Sequence, residues 1–115
     1  MYTLDHEGEN VGHSKLERGD PSIRSVSGVF SNMGGAVALA AWIKSIGGNE
    51  DDGVVFIELN NDFSLVDDSG NTIKFQSGNL ISIPVEDEVY LDITGISDDD
   101  YKEFFAGHIT AMNYV

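Results

Sequence analysis

Apolar and polar residues alternate along most of this chain with the two-residue period of half-buried strands, and one stretch breaks the alternation with a helical period. Tyr2-Thr3-Leu4 starts a strand, Glu7-Gly8-Glu9-Asn10 turns, and residues 11–16 return, which predicts an N-terminal hairpin. Residues 17–22 read as a loop, because Pro21 pushes Asp20 out of the helical region. Over residues 23–30 an extended segment places Ile23, Ser25, Ser27 and Val29 on one face and Arg24, Val26, Gly28 and Phe30 on the other. Residues 49–53 form an acidic loop. The β-branched and aromatic run Val54-Val55-Phe56-Ile57-Glu58-Leu59 follows, predicted as a central strand. Residues 63–67 and 72–76 flank Asp68-Ser69-Gly70-Asn71, a hairpin signal. Ser77-Gly78-Asn79 turns, Leu80-Ile81-Ser82-Ile83 is a strand ending at Pro84, and Glu86-Asp87-Glu88 is a charged turn before the strand 89–93. Ser97, three residues before Asp100, imitates a capping box and opens a short helical turn, tied to the core by Phe104 and Phe105. Residues 108–115 are expected to close the sheet as a last strand.

The helical stretch, residues 33–48, reads MGGAVALAAWIKSIGG. Ser31 and Asn32 offer an N-cap oxygen, and Gly47-Gly48 supplies the positive φ on which helices commonly stop. Leu39, Trp42, Ile43 and Ile46 share a face, while Val37, Ala40 and Ala41 fill much of the rest. So apolar a helix is expected to be buried nearly all round against a sheet, with Trp42 as its anchor and Lys44 reaching outward. At this length it is too short for a bilayer, which needs about 20 apolar residues. The fold expected is mainly β (α+β): an antiparallel β-sandwich or strongly bent sheet of about eight strands with one buried helix at about residues 34–46, in a single domain, 1–115. The absence of recurring strand–helix–strand units argues against a doubly wound parallel sheet.

Charge changes the picture more than size does. Six Lys and Arg face twenty Asp and Glu, a formal net charge of −14. Residues 1–48 hold five acids and four bases, whereas residues 49–115 hold fifteen acids and two bases, Lys74 and Lys102. A field of this sign repels nucleic acid and anionic membranes and attracts basic proteins. There is no cysteine, hence no disulfide and no thiolate chemistry, which suits the cytoplasm. The N-terminus lacks the basic and apolar regions of a signal peptide.

Catalytic and cofactor motifs are not apparent. His6 and His13, on opposite arms of the first hairpin, are expected to approach each other. With Asp5 or Glu7 they make a divalent site only on paper, and neither they nor His108 have a strong metal-motif spacing. Gly12-His13-Ser14-Lys15-Leu16 lacks the second glycine of a nucleophile elbow. Asp67-Asp68-Ser69-Gly70-Asn71 lacks the ligand spacing of a calcium loop and reads as turn chemistry. No enzyme, cofactor or resident metal is therefore expected. Two acidic clusters with aromatics nearby stand as candidate partner-binding sites: Glu86, Asp87 and Glu88 with Tyr90 and Asp92, and Asp98, Asp99 and Asp100 with Tyr101.

The N-terminal quarter carries a resemblance. Leu4-Asp5-x-x-Gly8, then Val11-Gly12-His13-Ser14-x-Leu16-Glu17-x-Gly19-Asp20-Pro21, then Gly28-x-Phe30 looks like small bacterial proteins found beside polymorphic toxin genes. A short, acidic, cysteine-free chain is also similar to the immunity proteins of contact-dependent growth inhibition systems. The resemblance implies a one-to-one complex with a basic toxin domain, a nuclease, whose active-site cleft the immunity protein plugs. It assigns no functional residue here. The alternatives are a self-associating phage or virion β module and a small β-sheet enzyme or sugar-binding module.

Overall fold

The computed structural model describes residues 1–113, with side chains through residue 109. Its strands are β1 Tyr2–His6, β2 Glu9–Ser14, β3 Arg18–Asp20, β4 Ser25–Ser31, β5 Asn49–Asp51, β6 Val54–Glu58, β7 Phe63–Val66, β8 Thr72–Ile73, β9 Ser77–Ile83 and β10 Glu88–Thr94. The helices are α1 Gly35–Ser45, α2 Asp98–Phe104 and α3 Ala106–Asn113. Among the described residues the strands join one antiparallel path, β5-β6-β9-β10-β4-β2-β1-β7-β8, with β3 paired to β4 off it. The expected mainly β (α+β), antiparallel architecture forms, as a single sheet of ten strands rather than about eight, with three helices rather than one among the described residues.

Two hairpins close on two-residue turns with positive φ at both positions, Glu7-Gly8 between β1 and β2 and Asp52-Gly53 between β5 and β6. Both match the right-handed strand twist. The second turns the predicted acidic loop into a strand, because Asn49, Glu50 and Asp51 pair with Phe56, Val55 and Val54. β6 is thus paired on both sides but lies next to an edge, and the middle of the path is β10 and β4. The expected turn at Ser77-Gly78-Asn79 is instead the start of β9, with Asn79 paired to both Glu58 and Asp92. The 67–71 turn is as expected: Asp67 Oδ1 accepts from the N–H groups of Ser69 at 3.0 Å and Asn71 at 2.8 Å.

The bend is built where β4 changes neighbours. On one side β4 pairs continuously with β10 from Val26 to Val29. On the other, Ser25 to Ser27 pair with β3, but only Phe30 and Ser31 pair with β2. The backbone between β2 and β3 turns at Leu16, which is buried with a positive φ of 46°. The N–H of Val29, left between the two partial neighbours, donates to Glu17 Oε1 at 3.1 Å. Gly12 and Gly28 permit the approach, since a Cβ would sit 2.5 Å from the Phe30 ring at Gly12 and 2.3 Å from Glu17 Oε2 at Gly28.

Both helical units pack on the concave face. α1 buries Ala36, Leu39, Ala40 and Ile43 against it, and the fully buried Ser82 of β9 donates to the Ala36 carbonyl at 2.7 Å. α2 sends Tyr101 and Phe105 into the core. β1 meets both: the Tyr2 ring lies 5.1 Å from Phe105, and the His6 ring 5.3 Å from Trp42.

Three expectations are corrected. α1 is not buried all round: Val37 is 68% exposed, Met33 just before the helix is 99% exposed, and Trp42 is half-buried, because among the described residues no second layer covers the far side. Its N-cap is Gly34 rather than Ser31 or Asn32. Asp87 Oδ1 accepts the Ala36 N–H at 3.4 Å, and the Asn32 amide donates to carbonyls instead. Its C-terminus does stop on Gly47-Gly48, whose N–H groups return to the Lys44 and Ile43 carbonyls. Finally, residues 106–113 are helical where a strand was expected from 108; residues 114–115 of that segment lie outside the described residues.

Candidate functional site

Among the described residues, the convex face of β6, β9, β10 and β4 carries none of the three helices. Strand alternation sends Val55, Ile57, Leu80, Ser82, Val89, Leu91, Val26 and Phe30 inward and their neighbours outward. The registers then align the outward residues in rows. Phe56 lies opposite Ile81, Ile81 opposite Tyr90, and Tyr90 opposite Val29. With strands about 4.8 Å apart, this apolar row runs about 14 Å across the sheet. Val29 is 50% exposed, and Phe56, Ile81 and Tyr90 are partly so. Acids flank the row. On one side Glu58 faces Asn79, and Asn79 faces Asp92; on the other, Glu88 faces Ile83. Arg18, opposite Ser27, is the cation at the end of the first flanking row.

Within this face the Tyr90 hydroxyl donates to Glu88 Oε2, and that carboxylate is the chief reason the phenol is held above its ordinary pKa. The Glu88 carboxylate thereby fixes the tip of a partly exposed aromatic. A shallow cavity of about 390 Å³ adjoins the row, between Val29, Tyr90, Glu88 and the start of α1.

The structure brings the predicted residues together only in part. Glu88, Tyr90 and Asp92 share the convex face. Asp87 is committed to the first turn of α1 through Ala36, and Glu86 is exposed in the 3-10 turn beside it. Asp98, Asp99 and Asp100 lie beyond the other end of β10, about 20 Å along a seven-residue strand. There they occupy the first turn of α2, where Ser97 caps the Asp100 N–H and Asp98 pairs with Arg24 at 3.6 Å. Tyr101 leaves the candidate set: it is 2% exposed, and its hydroxyl donates to the Ser25 carbonyl at 2.9 Å. At helical spacing it points inward while the acids before it point out.

Phe56, Ile81, Val29 and Glu58 were missed from sequence, although a signal existed. The runs VVFIE and LISI put apolar residues on both faces of a strand, which calls for cover on both sides. Among the described residues only one side is covered.

The histidines part company. His13 is exposed opposite Thr3 rather than near His6, because the register pairs His6 with Glu9. His108 Nε2 lies 2.9 Å from the Leu16 carbonyl, its ring stacked on Phe105. His6 instead gathers with Glu7 and Asp62, one potential ligand atom from each lying within 4.8 Å of the others. Beside them is a cavity of about 460 Å³, whose lining includes Glu9, Asn32, Leu39 and Trp42. Among the described residues no helix is long and apolar enough to cross a membrane. Neither family models, nor curated proteins, nor solved structures give a match to this chain.

Proposed function

We propose that this chain is a non-catalytic binding module that docks a basic protein on the convex face of β6, β9, β10 and β4. In this reading it is a cytoplasmic immunity protein, and its partner is a bacterial toxin nuclease domain whose active-site cleft it blocks. The observation that carries the reading is the registered row Phe56, Ile81, Tyr90 and Val29, uncovered and set between the carboxylates of Glu58, Asp92 and Glu88. An apolar centre within a charged rim is the anatomy of a protein interface, with a tyrosine as its natural anchor. Nucleases hold phosphate with Lys and Arg, so the cleft that binds nucleic acid also attracts a carboxylate-rich surface. The net charge of −14 steers that encounter. The resemblance of residues 4–30 to immunity proteins supports the partner class. That segment holds most of β1, all of β2 and β3 and most of β4, and it contributes Val29 and Arg18 to the face itself.

The test is co-expression with candidate toxin domains from adjacent genes, scored by growth rescue and by affinity in vitro. Tyr90→Ala is expected to weaken the complex by about 2 kcal/mol or more. Glu58→Gln, Asp92→Asn and Glu88→Gln together are expected to slow association and flatten its salt dependence. Replacing Asp98, Asp99 and Asp100 by Asn probes the second cluster. An affinity untouched by the convex-face changes, or touched only by the Asp98–Asp100 change, overturns the assignment of the face.

A further inference from the structure

We propose that His6, Glu7 and Asp62 form a binding site for a divalent first-row transition-metal ion, separate from the docking face and not dependent on it. The ligands come from two segments distant in sequence. His6 and Glu7 lie at the β1–β2 turn, and Asp62 lies in the loop before β7. The Glu7 N–H donates to the Asp62 carbonyl at 2.8 Å and holds the two segments together. One imidazole nitrogen and two carboxylate oxygens lie within 4.8 Å of one another. An ion with bonds of about 2.0–2.2 Å draws such atoms to separations of about 3–4 Å, a change within reach of side-chain torsions.

Two further observations point to a ligand. The side chains of all three residues are without a hydrogen bond or ion pair among the described residues, His6 half-buried and Glu7 and Asp62 exposed. Two carboxylates and an imidazole are thus brought together with no protein cation between them. The His6 ring is also held in place, edge-on to Trp42 at 5.3 Å and tilted on Phe63 at 4.6 Å. Contact with these two rings, themselves 6.4 Å apart, restricts its plane, which lowers the cost of orienting it toward an ion. The adjacent cavity has Glu9 in its lining and no Lys or Arg, which leaves open coordination positions in a negative field. A nitrogen donor among the oxygens favours zinc, cobalt or nickel over magnesium or calcium.

Trp42 is the sole tryptophan, and its ring lies against His6, so its emission reports the site directly. The full chain is titrated with cobalt(II) in excess magnesium, which occupies non-specific carboxylates. Zinc calorimetry gives the stoichiometry. One saturable equivalent that quenches Trp42 is expected. Asp62→Asn, which leaves the ring packing intact, is expected to weaken binding about tenfold or more, as is His6→Ala, while His13→Ala leaves it unchanged. Absence of saturation up to about 1 mM cobalt overturns the site, as does an Asp62→Asn variant that binds like the parent chain.

Discussion

Glu17→Ala removes a side chain that holds β4 across the gap between β3 and β2. The Val29 N–H, 3.1 Å from Glu17 Oε1, sits between the stretch paired with β3 and the stretch paired with β2. A hydrogen bond to a charged acceptor contributes about 1.5–3 kcal/mol where water is excluded. Glu17 is exposed, so solvent competition lowers the expected loss to about 1 kcal/mol, or about 4 °C in Tm for a domain of this size. The pH dependence identifies the cause. The carboxyl is held below its ordinary value by its own backbone N–H and then by that of Val29. A depressed carboxylate stabilises the fold fully above its unfolded pKa of about 4.3 and ceases to as pH falls through the folded value. Urea unfolding at pH 7 should therefore show the whole difference between parent and variant, and the difference should vanish on the acid limb. Gly28→Ala, which places a Cβ 2.3 Å from Glu17 Oε2, should displace the same carboxylate, so the two changes combined should cost less than their sum. A difference that is zero at pH 7, or the same at every pH, refutes the role assigned to the charge.

Other changes separate fold from face. Ser82→Ala deletes a donor buried between α1 and β9 and should cost about 1 kcal/mol in urea unfolding, with little effect on partner affinity. Tyr101→Phe should cost a similar amount through loss of the bond to the Ser25 carbonyl, and should leave the docking face intact. Ser97→Ala removes the cap of α2 and should destabilise by about 1 kcal/mol, read as earlier loss of helical circular dichroism.

Local signals predicted local structure well. The Ser97 cap, the Gly47-Gly48 stop and the 67–71 turn depend on neighbours a few residues away, and each forms as expected. Alternation over residues 25–30 placed Val26, Gly28 and Phe30 on one face, and the structure buries that face. What depended on distant pairing was less legible. Asn49, Glu50 and Asp51 have loop composition but become a strand because β6 lies beside them. The face of α1 that holds Val37 looked destined for burial, yet whether a second layer covers it is a property of the whole sheet. The proposed docking row needs four strands in register, and the proposed metal site needs Asp62 brought to His6 from another loop. In both cases the residues are plain in the sequence, whereas their adjacency is a product of the sheet registers and of the contact between loops.

The distribution of charge makes a final, opposing pair of salt effects. Ion pairs among the described residues join Lys44 to Glu50, Arg24 to Asp98 and the N-terminal ammonium to Asp68, so most of the twenty acids meet no cation. The molecule measures 39 × 31 × 21 Å, close to the Debye length of about 30 Å at 10 mM salt and far beyond the length of about 8 Å at 150 mM. At low salt, like charges therefore repel across the whole fold, each pair 10 Å apart by about 0.4 kcal/mol in water. Many such pairs make a sum on the order of 1 kcal/mol or more, partly relieved when the chain expands. Raising sodium chloride from 10 to 150 mM should thus raise Tm by several degrees, while the same change weakens attraction to a basic partner. A complex that loosens as its acidic component becomes more stable cannot be losing affinity through unfolding. If Tm is flat or falls over that range, the acids are compensated where they stand, and the convex face loses the unopposed charge on which docking relies.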